Sequence, residues 1–304
     1  MSGSTVAPQA ATAQLLDDAA QRAARLLAME LQARVRAAHA RLADPADGEA
    51  LHDFRVAVRR LRSWLDIDAV LPGKLVPARV RKLLRSLAKA SNVSRDDEVL
   101  AEWLAVRRAA SAVQHDDAVD WLLARIEELR QGDVGRLHAK LDRDFGKAMA
   151  SLDEHLPWYS VRRHVHRGEQ GETLAASLAA LLRLDGGRLQ RRLAAVHACA
   201  DDKAIHRVRI AVKRLRYHLE PVADALTSAP DALVRLRILQ DLLGDHHDGM
   251  VWMGIVRSFE AQAPNEGIRR GLGKIVARIE RRRERRFASL EDEWLAAAAA
   301  TWRQ

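Results

Sequence analysis

The chain has 304 residues and a formal net charge of +9 at pH 7, from 50 lysines and arginines against 41 aspartates and glutamates. Hydrophobic residues make up 48% of the chain, enough for a sizeable core, and the single cysteine, Cys199, excludes an intramolecular disulfide framework and a thiolate zinc cluster. The excess of positive charge favours an acidic partner, such as nucleic acid, an anionic surface or a polyanion.

The apolar runs and the N-terminal segment predict a cytoplasmic protein. Residues 1–21 lack the basic and apolar regions of a signal peptide. No stretch approaches the roughly 18 apolar residues that cross a bilayer. One cysteine fits a reducing compartment. We therefore expect no membrane partner.

Helical periodicity dominates the first half of the chain. We expect a disordered N-terminus over residues 1–12 and a loop over 44–50, since both are polar and contain proline or glycine. The predicted helices cover residues 13–42, 75–91, 96–112 and 116–156. Between the first two of these, a further helix follows the loop over 44–50 and ends at Leu71-Pro72-Gly73.

Residues 157–172 interrupt the periodicity and are rich in arginine, histidine and glycine, so they are the predicted linker. Beyond it, helices are predicted over 173–198, 202–226, 229–243, 248–261 and 266–303. No run alternates with period two over enough residues to form a convincing strand, and the composition favours an all-α protein.

Two segments of the chain repeat one pattern. Residues 51–66 read LHDFRVAVRRLRSWLD and residues 205–220 read IHRVRIAVKRLRYHLE, with eight identities in sixteen positions. Each contains a histidine and three basic residues at i, i+3, i+7 and i+10, which places all four on one side of an α-helix. We call these two sets the basic ladders: His52, Arg55, Arg59 and Arg62, and His206, Arg209, Lys213 and Arg216.

A separate apolar stripe accompanies each ladder. Each helix therefore has one face for a core and one for cations. Cations at i and i+4 repel one another by roughly 0.2–0.5 kcal/mol per pair, and an anionic ligand would relieve that repulsion. The stripes consist of Phe54, Val58, Leu61 and Leu65, and of Val208, Val212, Leu215 and Leu219.

The duplication extends beyond the ladders. Asp-rich segments follow both, and aligning Asp96 with Asp248 gives an offset of 152 residues, against 154 for the two ladder histidines. Both halves place a long helix, a ladder helix, a short helix and an Asp-rich turn in the same order. We predict two helical bundles of about four to five helices each, related by a pseudo-two-fold internal duplication over residues 13–156 and 173–304.

The paired motifs resemble those of the CHAD family, the conserved histidine α-helical domain. The resemblance covers almost the whole chain and implies an all-helical domain with two bundles and a basic central surface. It also implies binding of inorganic polyphosphate, association with polyphosphate granules in bacteria, and no established catalytic activity. The matching residues are His52, Arg55, Val56, Arg59, Arg60, Leu61 and Arg62, then His206, Arg209, Ile210, Lys213, Arg214, Leu215 and Arg216, with turns at Arg95-Asp96 and at Leu243-Gly244 with Asp248.

The chemistry of the ladders suits a chain of phosphates. Each ladder rises over about 15 Å, at 1.5 Å per residue, which matches an extended polyanion better than one phosphate. Arginine holds two phosphate oxygens at once through its planar guanidinium. The next helix and its counterpart add a second basic layer. The predicted polyphosphate-binding residues are His52, Arg55, Arg59, Arg60, Arg62, Lys82, Arg85, Lys89, His206, Arg209, Lys213, Arg214, Arg216, Tyr217 and Arg237.

Nucleic acid is the main alternative partner, since a basic groove binds any phosphate backbone. Single-strand binders usually stack bases on aromatic side chains, and Tyr217 is the only aromatic residue that we expect on a basic face. The sequence therefore favours polyphosphate over nucleic acid.

A Mg²⁺-dependent polyphosphate-processing enzyme is the third alternative. It would need carboxylates such as Asp96 and Asp97 beside a ladder, but acidic pairs near helix starts more often act as caps. We therefore predict no catalytic residue, no metal and no cofactor. His246, His247 and Asp248 cluster in sequence, and no role is assigned to them.

Overall fold

The computed structural model describes residues 8–44, 46–91, 95–110, 116–157 and 172–296. Within these ranges there is no strand, and the β-type pairing is one isolated bridge between Ala19 and Thr173. The prediction of an all-α protein is therefore confirmed for these residues. They form ten α-helices: α1 (Pro8–Asp17), α2 (Ala20–Arg41), α3 (Ala50–Trp64), α4 (Ala78–Ala90), α5 (Arg95–Ala110), α6 (Asp117–His155), α7 (Leu174–Leu193), α8 (Asp202–Leu219), α9 (Ala229–Glu260) and α10 (Glu266–Leu290).

The single helix predicted over residues 13–42 is two helices, and the first starts earlier, at Pro8, within the expected disordered segment 1–12. Residues 1–7 lie outside the described residues. Ala19 is extended, with φ −53° and ψ 124°. The break exists because backbone groups on either side of Ala19 pair with the segment that enters α7: Ala20 N–H donates to Glu172 O and Leu174 N–H to Asp18 O, both at 3.0 Å.

The prediction of an Asp-rich turn between residues 243 and 248 is wrong. α9 runs without interruption through Gly244, whose φ is not positive. A helical glycine costs only about 1 kcal/mol. Burial of Leu239 and Leu243 on the same helix outweighs that cost, because each leucine contributes roughly 1.5–3 kcal/mol.

The remaining boundaries follow the sequence prediction more closely. α6 matches the helix predicted over 116–156 and continues through Gly132 and Gly135. Most of the predicted linker, residues 158–171, and the end of the last predicted helix, from residue 297, lie outside the described residues. None of the described helices combines the length and the apolarity that a bilayer crossing requires.

The chain separates into two compact units. The first unit draws on Met1–Ser91, Lys140–Arg188 and Lys213–Arg237, and the second on Asn92–Ala139, Leu189–Val212 and Ile238–Gln304. Each unit takes segments from both halves of the sequence, and α6 to α9 each contribute residues to both units. The repeats at 13–156 and 173–304 therefore do not coincide with the compact units and stay a prediction about the sequence.

Each unit has its own core, and the first apolar stripe belongs to the core of the first unit. The stripe formed by Phe54, Val58 and Leu61 of α3 and by Leu65, the next residue after α3, is fully buried in the core of the first unit, as predicted. On α8, the stripe residues are buried except Leu215, which is half-buried. Leu100, Leu122, Leu272 and Ile279 lie in the core of the second unit.

Candidate polyanion-binding site

A cluster of cations lies on α3 and α4 in the first unit. Burial of the apolar stripe leaves Arg59 and Arg62 half-buried on the flank of α3, while Lys82, Arg85 and Lys89 of α4 are exposed. We call this set of five cations the α3–α4 basic surface: Arg59, Arg62, Lys82, Arg85 and Lys89. None of the five forms a salt bridge with any residue that the structure describes.

Like charges crowd together within this surface. Partial burial of its guanidinium, followed by the nearby charge of Arg59 and then by that of Arg85, lowers the pKa of Arg62 below the usual arginine value. Asp66 and Tyr217 oppose the shift without cancelling it. Arg62 remains a cation near neutral pH, because an arginine pKa lies far above 7. The crowding is a local excess of positive charge that a bound anion would relieve.

Tyr217 does not lie on an exposed basic face, contrary to the sequence prediction. Its side chain is 2% exposed, its hydroxyl accepts a hydrogen bond from Arg59 Nη1 at 3.4 Å, and the guanidinium of Arg216 lies 4.6 Å from its ring centroid. Buried tyrosines keep a polar partner for the hydroxyl, and Arg59 supplies it here. Tyr217 therefore positions Arg59 and joins α8 to α3, and it offers no open ring face to a ligand.

Two ion pairs join the ladder helices reciprocally. Arg60 Nε lies 2.9 Å from Glu220 Oε2, and Arg214 Nη2 lies 3.7 Å from Asp66 Oδ2. Arg60 aligns with Arg214 in the repeated motif, and Asp66 aligns with Glu220. Each arginine therefore contacts the acidic residue at the matching position of the other copy.

Other predicted ligand residues are also held by carboxylates. Arg216 Nη1 lies 3.1 Å from Glu220 Oε1, and Arg214 Nε lies 3.3 Å from Asp185 Oδ1. Their positive charge is partly neutralised within the first unit. The sequence pattern could have suggested Asp66 and Glu220 as partners, since both end their motifs. Asp185 has no such signal, because it lies 33 residues before His218 and 29 before Arg214.

Asp185 is the centre of a buried polar network. Its side chain accepts from His218 Nδ1 at 2.7 Å and from Arg188 Nη1 at 3.0 Å, and His218 Nε2 contacts Ser63 O at 2.8 Å. Burial acts to raise the pKa of Asp185, but the hydrogen bond and charge of His218, the charge of Arg214 and the bond from Arg188 together lower it. Asp185 is therefore an anion in the folded protein.

Arg55 is buried rather than accessible. Its side chain is 4% exposed, and Nε donates to the carbonyl oxygen of Ser91, at the C-terminal end of α4. A cation near a helix C-terminus satisfies carbonyl groups that lack helical partners. Arg55 therefore fastens α4 to α3 and is unavailable to a ligand in this conformation.

The other predicted residues are accessible to different degrees. His52 and Arg237 are exposed and Lys213 is half-buried, all within the first unit. His206 is exposed and Arg209 is half-buried on the part of α8 that belongs to the second unit.

The clustered histidines have different surroundings. His246 is buried, its Nε2 lies 3.0 Å from Arg283 Nε, and burial followed by the charge of Arg283 lowers its pKa. His247 packs near His206, with ring centroids 5.3 Å apart. No group of three histidine, cysteine or acidic side chains converges as a metal site would require within the described part of the chain, which excludes the side chain of Asp96.

Comparisons with known proteins support the sequence resemblance. The family model of the CHAD domain matches residues 26–257. The chain is 30% identical over 216 residues to two proteins of Mycobacterium tuberculosis, Uncharacterized protein MT2285 of strain CDC 1551 / Oshkosh and Uncharacterized protein Rv2226 of strain H37Rv. These matches cover 67% of this chain and 39% of each relative, so the matching region spans about two fifths of their length.

Two solved structures share the fold. The crystal structure of the CHAD domain from the plant Ricinus communis matches with a TM-score of 0.64 and 23% identity over 94% of this chain and 92% of that one. PptA from Streptomyces chartreusis matches with a TM-score of 0.66 and 17% identity over 91% and 99% of the two chains.

Proposed function

This chain belongs to the CHAD domain family, and on that premise we propose that it binds inorganic polyphosphate through the α3–α4 basic surface and catalyses no reaction. The observation that carries the proposal is the division of the predicted ligand-binding cations into two groups. Arg60, Arg214 and Arg216 are paired with carboxylates, whereas the five cations of the α3–α4 basic surface form no salt bridge with any residue that the structure describes. Unpaired, crowded guanidiniums favour a ligand of high negative charge.

The predicted residues therefore take two proposed roles. The α3–α4 basic surface contacts the phosphate chain, and the accessible residues His52, Lys213 and Arg237 extend that contact. His206 and Arg209 continue the ladder along α8. The remaining residues are a framework that holds the helices in place: Arg55, Arg60, Arg214, Arg216 and Tyr217.

Polyphosphate fits this surface better than single-stranded nucleic acid does. Base stacking on an aromatic ring contributes roughly 1–3 kcal/mol per base in proteins that bind single strands. Tyr217, the aromatic residue beside Arg59, is buried and already contacts Arg216. The partner that uses this surface fully is a chain of phosphates without bases.

We also propose that the two ladder helices are copies of one ancestral unit and that the protein associates with polyphosphate granules in the cytoplasm. The reciprocal pairs Arg60–Glu220 and Arg214–Asp66 support the first part. Contacts between residues i and j′ and between j and i′ are what a two-fold axis produces.

Substitution of two surface arginines tests the binding site. We expect Arg62→Gln/Arg85→Gln to bind long-chain polyphosphate at least about tenfold more weakly, because one charge-assisted hydrogen bond contributes about 1.5–3 kcal/mol. The matched control is Arg22→Gln/Arg34→Gln, which removes two exposed α2 arginines that are paired with Asp18 and Glu30. An equal loss of affinity in the control would reject the site.

The proposed absence of catalysis has its own test. The protein is incubated with long-chain polyphosphate and Mg²⁺, and orthophosphate is measured over time. We expect no release above that of the buffer. Release that follows the protein concentration and disappears in Asp97→Asn would assign the protein to the enzymes.

A further inference from the structure

A second basic surface lies in the second unit, on helices that carry neither ladder. α10 has arginines at positions 278, 282 and 285, an i, i+4, i+7 spacing that places them on one side of the helix. Their positive charges act on Arg107 of α5. We call these four residues the α5–α10 basic surface: Arg107, Arg278, Arg282 and Arg285.

Two tryptophans hold this surface together. The guanidinium of Arg107 lies 4.9 Å from the Trp103 ring centroid, and that of Arg282 lies 5.9 Å from the Trp252 ring centroid. The two indole rings are themselves 5.3 Å apart. Guanidinium groups within about 6 Å of an indole centroid are attracted by its face. The tryptophans therefore place two cations side by side on α5 and α10.

The cations of this surface outnumber the carboxylates that they contact. Asp245 lies 3.0 Å from Arg282 and 2.6 Å from Arg286, so one carboxylate serves two arginines. Arg278 and Arg285 are exposed, and neither forms a salt bridge with any residue of the described ranges. Partial burial, followed by the charges of Arg278, Arg282 and Arg285, lowers the pKa of Arg107. The excess charge is local, as it is on the α3–α4 basic surface.

The acidic residues of α10 lie on a different flank. Glu280 and Glu284 are exposed and follow an i, i+4 spacing of their own. Their negative charges act on the thiol of Cys199, where they help burial to raise its pKa. The two glutamates of α10 therefore lie apart from the three α10 arginines of the α5–α10 basic surface and do not neutralise them by a salt bridge within the described residues.

We propose that the α5–α10 basic surface is a second binding site for a phosphate chain, so that one molecule of this protein holds polyphosphate at two places. The inference rests on the proposed function for the class of ligand but not for the location. The family model ends at residue 257, so all of α10 lies outside the matched region.

The tryptophans favour phosphate over nucleic acid at this site. Trp252 is 4% exposed, and one face of Trp103 is already covered by Arg107. A base that stacks on half-buried Trp103 would therefore compete with Arg107, whereas phosphate oxygens reach the exposed guanidiniums of Arg278 and Arg285.

A local probe tests the second site independently of the first. The indole N–H signal of Trp103, assigned with Trp103→Phe, is followed by NMR in protein with labelled tryptophan while tripolyphosphate is added at low ionic strength. We expect the signal to shift in wild type and in Arg62→Gln/Arg85→Gln. In Arg278→Gln/Arg285→Gln, the apparent affinity measured from this signal should fall about tenfold or more.

The matched control is Arg269→Gln/Arg270→Gln, which removes two exposed arginines near the start of α10 that are paired with Glu266. It should titrate as wild type does. An unmoved Trp103 signal, or an equal loss of affinity in the control, overturns the second site. A stronger response to single-stranded DNA of equal charge overturns the assignment to polyphosphate. The Trp103 signal does not report on the α3–α4 basic surface. An error in the proposal for that surface would appear only as unchanged polyphosphate affinity of Arg62→Gln/Arg85→Gln in the binding assay.

Discussion

Glu220 distinguishes the arginines that pair with a carboxylate from the cations that we propose contact a ligand. Its carboxylate forms salt bridges with Arg60 of α3 and with Arg216 of α8, and its side chain is only 12% exposed. Partly buried carboxylates of this kind neutralise the cations around them. The cations of the α3–α4 basic surface, in contrast, are not neutralised by a salt bridge with any described residue.

Removal of the Glu220 charge tests this framework role. We expect Glu220→Gln to lower the free energy of unfolding by about 1–3 kcal/mol, because two charge-assisted contacts weaken at once. Urea denaturation measures the loss. Glu266→Gln is the control, since its pairs with Arg269 and Arg270 are exposed and contribute little. Equal destabilisation by the two substitutions would contradict the framework role.

Asp185 predicts a component of acid sensitivity. Its pKa is lowered in the folded protein, so its stabilising contribution is complete above the unfolded pKa of about 3.9 and disappears as pH falls through the folded value. We expect Asp185→Asn to cost about 3–5 kcal/mol at neutral pH, because His218 and Arg214 lose their buried carboxylate.

The same variant should also lose stability less steeply than wild type does below about pH 5. Urea denaturation at several pH values between 3 and 7 measures both effects. If the free energies of unfolding of the two proteins fall in parallel as pH is lowered, protonation of Asp185 does not contribute to the acid sensitivity.

At the scale of helices, the continuity of α9 is the largest departure from the sequence pattern. The segment around Gly244 predicted a turn because glycine and aspartates cluster there. The helix persists because its leucines are buried and because Asp245 contacts Arg282 and Arg286 of α10. These contacts come from residues far away in the sequence, and local propensity does not contain them.

Two glycine substitutions measure this helical arrangement. Gly244→Ala should raise the free energy of unfolding by about 0.5–1 kcal/mol, since the added Cβ meets no atom within 4 Å and alanine favours a helix. Gly271→Ala should lower it by about 1–3 kcal/mol, since the new Cβ would collide with Cβ of Ala118 on α6. Thermal denaturation of both variants gives the signs, and destabilisation by Gly244→Ala would indicate a turn.

The periodic features of the chain were predictable, and the partners across helices were not. The spacing of Phe54, Val58 and Leu61 predicted the buried stripe of α3, because a helix with one apolar face buries that face. The same spacing placed Arg55 with the ligand cations, although it is buried against Ser91 O. Spacing identifies the side of a helix, but tertiary packing decides whether that side meets solvent, a carbonyl group or a carboxylate.

At the scale of the whole molecule, the net charge of +9 does not describe how the cations are used. Each compact unit combines its own core with arginines that pair with carboxylates and with a group of cations that outnumber the carboxylates they contact among the described residues. The excess of positive charge is therefore local to the α3–α4 and α5–α10 basic surfaces, where we propose binding, and we expect the framework pairs to contribute stability instead.

The most direct test of polyphosphate binding is a comparison of dissociation constants across a salt series. Long-chain polyphosphate is compared with single-stranded DNA and RNA of equal charge, because all three lose affinity as salt competes for the cations. We predict that, of the three polymers, polyphosphate has the lowest dissociation constant at an ionic strength of about 0.15 M, where exposed charges are already strongly screened. Equal or tighter binding of either nucleic acid at that ionic strength would contradict the account.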